Sequence, residues 1–305
     1  PKLVFNKILY IINHLIKVPM LFDKLIHLPN KIFFPFFNKD KEIHKNFQYS
    51  GYLQVVSDKD NIQFAEYLNK TCLNINFKKI IEEKIQNNEK IYTINIYEYL
   101  DDVTKDKINK FFNNKEKIFK VSSMLGLKVK LRKVHLLINF FNNKTYQDEG
   151  PKMYHRDSDS LHDQVKIFFL LNDLENENGM FYFVPKNYIS ESSKLPFEND
   201  RKDMQLWNKW RNYDETVLKY AKCNENDFPI KKLTGKKGEM LYIDTGKLYH
   251  KGGYIKNEKI KRFILQAVYT PVLSLSNWNK NSNKLMTFVQ NKLTTLRIKL
   301  RRTLN

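Results

Sequence analysis

Two residue types that bind metals stand two positions apart in the stretch Met153-Tyr154-His155-Arg156-Asp157. In a β-strand, side chains two apart lie on one face, so His155 and Asp157 would present an imidazole and a carboxylate to the same point. A third ligand, His250, follows in a later strand-like group that leads through Leu248-Tyr249-His250 to Gly252-Gly253. Two histidines and one carboxylate on one side of a metal form the facial triad typical of non-haem Fe(II), which leaves coordination positions open for small molecules. Arg262 opens the next apolar strand, with Ile264, Gln266 and Val268 on its face. A buried guanidinium is costly unless paired, so this arginine calls for an anionic partner, and its planar fork suits a carboxylate.

The elements that must position these residues are legible as changes of period. Residues 60–125 carry apolar positions at helical spacing, notably over 61–86 and 102–119, with Asp101 placed to cap the second stretch. After Gly126 the pattern turns β-like through Val129, Leu131, Val134, Leu136 and Phe140. Lys166 to Leu171 is a dense apolar run, and Asn176-Glu177-Asn178-Gly179 is a turn signal before Met180 to Val184, so the two runs read as a hairpin-like pair. Strands resume at Glu239 to Ile243 and at Arg262 to Tyr269. Between them, 189–228 is a polar, aromatic insertion with Trp207, Trp210 and Tyr213, in the manner of a lid or a helical insertion. No repeats or flexible linkers divide the chain, so the expected plan is 1–40 an amphipathic N-terminal segment, 41–125 a helical support region, 126–275 the β core and 276–305 a basic tail.

Composition bounds the function. The chain has 305 residues, is 42% apolar and has a formal net charge of +20. That charge would suit nucleic acid or an acidic membrane, but the lysines are spread through the chain and no nucleic-acid-binding motif accompanies them, so no specific nucleic-acid partner is expected. Cys72 and Cys223 are too few for a disulfide framework and point to a reduced, cytoplasmic protein. Residues 1–36 mix apolar and lysine positions without a span long enough to cross a bilayer. A helix packed on the main domain is favoured there over a segment resting on an anionic membrane surface, and no small-residue cleavage site marks a secretory signal.

The stretches Tyr154-His155-Arg156-Asp157-Ser158-Asp159, Val165 to Asp173, Glu177-Asn178-Gly179, Phe183-Val184-Pro185, and Gly238 through His250-Lys251-Gly252-Gly253 to Arg262 resemble the phytanoyl-CoA dioxygenase-like branch of the iron(II)/2-oxoglutarate oxygenases. The resemblance covers about residues 125–271. It implies a mainly β fold with flanking helices and a double-stranded β-helix (jelly roll) core, with His155, Asp157 and His250 as iron ligands and Arg262 as the clamp for the 2-oxoglutarate carboxylate. Fe(II), 2-oxoglutarate and O2 would then hydroxylate a small-molecule or lipid-linked substrate, with release of succinate and CO2. Gly252 departs from the pattern, since a hydroxyl residue often stands there to help hold 2-oxoglutarate. Lys166 is positioned to reach 2-oxoglutarate or an acidic substrate, and Arg156 and Asp159 are candidates for substrate contact. Two other readings stay open: a metal-dependent hydrolase built on His155, Asp157, His162 and Asp163, and a basic protein bound to membrane or nucleic acid without catalysis.

Overall fold

The computed structural model describes residue 31 and residues 35–86, 93–140, 154–155, 157, 164–175, 179, 181–188, 230–255 and 261–272. Among the described residues from 35 on, five α-helices precede the long strands: α1 (Lys41–Ser50), α2 (Lys59–Leu73), α3 (Phe77–Gln86), α4 (Asp102–Phe112) and α5 (Lys115–Leu125). Four start on a side-chain cap: Asp40 accepts from the Ile43 N–H, Asp58 from Asn61, Asp101 from Thr104 and Asn114 from Glu116. Each cap satisfies a backbone donor that the first turn leaves without a partner. The two long periodic stretches are thus each broken into two helices, at Asn74 and at Asn113-Asn114, where asparagine competes for backbone hydrogen bonds. α5 ends at Gly126, whose φ of 67° is the left-handed conformation that glycine adopts without strain.

The described residues form nine strands, in chain order β1 (Tyr52–Val55), β2 (Ile94–Asn95), β3 (Val129–Phe140), β4 (Val165–Leu170), β5 (Phe181–Val184), β6 (Lys231–Leu233), β7 (Met240–Ile243), β8 (Tyr249–Gly252) and β9 (Lys261–Pro271). They form a six-stranded sheet in the order β1-β7-β4-β9-β3-β2 and a three-stranded sheet in the order β6-β5-β8. A bridge from His155 to His250 adds the 154–155 segment to the free edge of β8. From β3 onward, with the 154–155 segment counted, the chain crosses between the sheets at each step except from β5 to β6, which stay paired in the small sheet, and this path closes two Greek keys into a jelly roll. The short strands β1 and β2 come from the largely helical region before residue 126 and extend the large sheet at its two edges.

β4 and β5 do not form the hairpin that their spacing suggests. Both edges of β4 are taken, by β7 and β9, so the chain crosses from one sheet to the other and β5 pairs with β6 and β8.

The dense apolar run of β4 is explained by burial on both faces. Ile167 and Phe169 point outward into a core shared with the helices, where Leu68, Cys72, Ile108, Phe112, Val121 and Met124 pack against Leu136, Ile138, Leu265, Ala267 and Tyr269. Phe168 and Leu170 point inward, with Leu241, Ile243 and Ile264, against Phe181, Phe183 and Leu233 of the small sheet. Each fully buried side chain of this size contributes on the order of 1.5–3 kcal/mol.

Of the N-terminal segment, Pro35 bridges to Leu127 and the Phe36 N–H donates to the Gly126 carbonyl at 3.1 Å, so its end docks beside α5. The rest of 1–36, apart from residue 31, lies outside the described residues, as do Cys223, the 189–228 insertion with Trp207, Trp210 and Tyr213, and the 276–305 tail. Among the described residues, no helix is long and apolar enough to cross a membrane.

Candidate metal centre

The bridge between residues 155 and 250 sets the geometry. His155 N–H donates to the His250 carbonyl at 3.0 Å and His250 N–H donates back at 2.9 Å, while Asp157 N–H donates to the Thr245 carbonyl at 3.0 Å. The backbone therefore fixes His155 and Asp157 against β8 and against the turn before it. One ligand atom from each of His155, Asp157 and His250 lies within 4.8 Å of the others. The imidazoles sit 4.3 Å apart between centroids, and His250 stacks on Phe181 at 5.3 Å. His250 Nε2 is 3.7 Å from Asp157 Oδ1.

His250 is oriented by its own strand. Its Nδ1 lies 3.1 Å from the Leu248 carbonyl, an acceptor, so Nδ1 carries the proton and Nε2 keeps its lone pair turned toward Asp157. Asp157 is held from the other side by Gln164, whose Nε2 donates to Thr245 Oγ1 at 3.1 Å and approaches Asp157 Oδ2 at 3.4 Å. Gln164 and Thr245 are both buried. Neither was visible as a site residue in the sequence, because their role depends on a contact between segments far apart in the chain.

Lys166 stands on the inward face of β4 with its Nζ 2.6 Å from Asp157 Oδ2. Burial alone would push the Asp157 carboxyl up, but the Lys166 ammonium beside it outweighs burial and holds the group well below the usual carboxylate range. Asp157 is therefore an ionised ligand.

Arg262 lies on the same inward face of β9, 5% exposed, directly opposite Asn139 of β3. Its Nε donates to Asn139 Oδ1 at 3.2 Å, and Asn139 in turn donates to Thr93. Nη1 is buried and has no hydrogen-bond partner among the described residues. Burial lowers the guanidinium to about 10, still charged at neutral pH. A buried cation with a bare donor is the signature of a site for an anion.

All five sequence-derived site residues, His155, Asp157, His250, Lys166 and Arg262, thus belong to one jelly-roll interior and its rim. Gly252 pairs with Phe181 at the end of β8. Arg156, Asp159, His162 and Asp163 lie outside the described residues.

No family model and no curated protein matches the sequence. Solved structures do. EctD from S. alaskensis with bound Fe is 14% identical, covering 76% of this chain and 77% of its own at a TM-score of 0.48. The alpha ketoglutarate dependent carbocyclase SnoK is 12% identical over 78% of this chain and 86% of its own, at 0.47. The epimerase SnoN, in complex with Fe3+, alpha ketoglutarate and nogalamycin RO, is 14% identical over 75% of this chain and 82% of its own, with a TM-score of 0.50. The likeness to SnoN is one of fold, and it is the jelly roll that the strand order of this chain describes.

Proposed function

We propose that this chain is an iron(II)- and 2-oxoglutarate-dependent oxygenase that hydroxylates a small-molecule or lipid-linked substrate. The observation that carries the reading is the convergence of His155, Asp157 and His250 on one point at the rim of a jelly roll. The donor set fits Fe(II), because two imidazoles and one carboxylate would supply three ligands and leave further positions open. The bare Nη1 of Arg262 fits the far carboxylate of 2-oxoglutarate, and Lys166 supplies a second cation on the same inward surface. SnoN, of the same fold, holds Fe3+ and alpha ketoglutarate.

The chemistry supplied by iron, 2-oxoglutarate and O2 together is insertion of one oxygen atom into a C–H bond, coupled to conversion of the 2-oxo acid to succinate and CO2. The protein's residues bind and orient. Leu248 sets the His250 tautomer, Gln164 and Thr245 fix the Asp157 carboxylate, and Arg262 would hold the far carboxylate of the co-substrate. Phe168, Phe181 and Ile264 keep the interior apolar around these charges.

The test is spectroscopic. Anaerobic addition of Fe(II) and then 2-oxoglutarate should produce the visible charge-transfer band of a chelated 2-oxo acid, and admission of O2 should yield succinate. His250→Ala should abolish the band and His162→Ala should leave it. No band from the wild-type protein would sink the oxygenase reading, and a loss confined to His162→Ala would favour the hydrolase. Hydroxylation itself is decided by product analysis, since an epimerase shares the fold.

A further inference from the structure

His135 of β3 lies directly opposite Gln266 of β9, and Gln266 lies opposite Phe168 of β4, so all three point into the interior. The next inward residue of β9, Val268, is opposite Lys166, whose ammonium touches Asp157. At the other end of the same face stands Arg262. Inward residues of a strand are spaced by roughly 6.6 Å, so the His135–Gln266 pair occupies the ground between the triad and the anion clamp.

The hydrogen bonds around His135 fix its proton. Asn95 of β2 accepts the Leu136 N–H at 3.0 Å and the Tyr97 N–H at 3.2 Å through one atom, Oδ1. Both partners are donors, so that atom is the oxygen, and the amide nitrogen Nδ2 is the one facing His135 Nδ1 at 3.1 Å. An amide NH2 only donates, hence Nδ1 accepts and the ring proton is on Nε2. Burial, reinforced by the charges of Lys133 and Lys166, lowers His135 to about 4, in keeping with a neutral ring. Among the described residues Nε2 has no partner. The carboxamide of Gln266 has none either, although the residue is only 8% exposed. His135 is half-buried and faces the nearly buried Gln266, so two polar groups without a partner among the described residues stand on the chamber wall, open to whatever occupies it.

We propose that Asn95 is a positioning residue that fixes His135 as a neutral Nε2–H donor, and that this donor and the Gln266 amide hold the oxygens of the 2-oxo dicarboxylate bound between the triad and Arg262. The contact rests on the oxygenase reading above, whereas the tautomer does not. Its consequence is discrimination: a monocarboxylate or an apolar molecule would leave His135, Gln266 and Arg262 without partners.

Two variants separate the parts. Asn95→Asp retains an oxygen for the two backbone N–H groups but turns the amide donor into an acceptor, which moves the His135 proton to Nδ1. His135→Gln retains a side-chain donor, and His135→Leu removes it. In histidine-labelled metal-free protein, nitrogen NMR of the ring assigned to His135 by its loss in His135→Gln should show protonated Nε2 in the wild type and protonated Nδ1 in Asn95→Asp. With Fe(II) added anaerobically, titration of the charge-transfer band with 2-oxoglutarate should give a Kd weakened about tenfold in His135→Leu and in Asn95→Asp. His135→Gln should stay within about threefold of the wild type. A wild-type ring protonated on Nδ1, or a His135→Leu protein that binds 2-oxoglutarate like the wild type, overturns the proposal. A wild-type protein that binds no 2-oxoglutarate while showing the Nε2 proton overturns the contact through the oxygenase reading, which distinguishes the two failures.

Discussion

Among the described residues, the Arg262 guanidinium donates one hydrogen bond, to Asn139, and its Nη1 has no partner. A buried charge without a counter-charge costs stability, and a ligand carboxylate repays that cost only when bound. Arg262→Gln should therefore leave the melting temperature unchanged or raise it while weakening 2-oxoglutarate by at least about 30-fold, as loss of one partner of a buried charge pair does. Arg262→Lys should restore little, because a point charge does not reproduce the planar fork. Calorimetric melts and titration of the charge-transfer band measure the two effects separately. His135 makes a prediction of opposite origin. Its folded pKa of about 4 lies below the value of about 6.5 in an unfolded chain. The unfolded state binds the proton first on acidification, so stability is full above about pH 6.5 and falls as pH drops toward 4. Melting curves across that window should flatten in His135→Gln. The ligands were legible from the sequence because strand alternation puts His155 and Asp157 on one face and because Arg262 interrupts an apolar strand. Asn95, Gln164 and Thr245 were not legible, since each acts on a residue brought to it only by sheet pairing or by the turn before β8.

Among elements, the long strands and one helix cap were readable because each carries its own signal, alternation for β3 and β9 and Asp101 before α4, whereas the caps Asp58 and Asn114 and the breaks at Asn74 and Asn113-Asn114 were not. Nor were β1, β2 and β6. Strands of two to four residues are too short to show a period, and β1 and β2 exist as edges of a sheet built by residues far along the chain. The β4–β5 connection was misread for a related reason: turn chemistry reports that the chain reverses, not which sheet receives it. Gly179 shows what that connection requires. Its φ is +70°, and a Cβ there would lie 2.8 Å from the backbone carbon of Tyr254 and 2.9 Å from the Gly253 oxygen. Gly179→Ala should destabilise by more than about 2 kcal/mol, since strain and a backbone clash add. Gly126→Ala, with φ +67° but only the movable His44 ring at 3.1 Å, should cost about 1 kcal/mol. Urea denaturation of the two variants tests the difference.

At the scale of the whole molecule, the large sheet has two unlike faces. Its outer face and the helices enclose the larger core, in which Cys72 is fully buried and its thiol pushed up to about 12. That thiol should not react with a disulfide reagent until the protein unfolds, so its labelling rate should track global opening as denaturant is added. Phe169 on the same face packs on Phe64 and Phe111, and Phe169→Ala should cost about 3–5 kcal/mol by denaturant titration. The inner face instead carries Lys166, Gln266, Arg262 and His135 among its apolar residues.

Because successive residues of β3, β4 and β9 answer to different neighbours, one strand holds two independent texts. The odd-numbered residues of β9, Phe263 to Tyr269, maintain the core against the helices, whereas Arg262, Ile264 and Gln266 line the chamber. The two registers can therefore vary separately: a change on the outward register is felt by the core against the helices, and a change at a polar position of the inward register is felt first by the chamber. Leu265→Ala should accordingly lower the urea midpoint well below that of Gln266→Ala, the residue one position away.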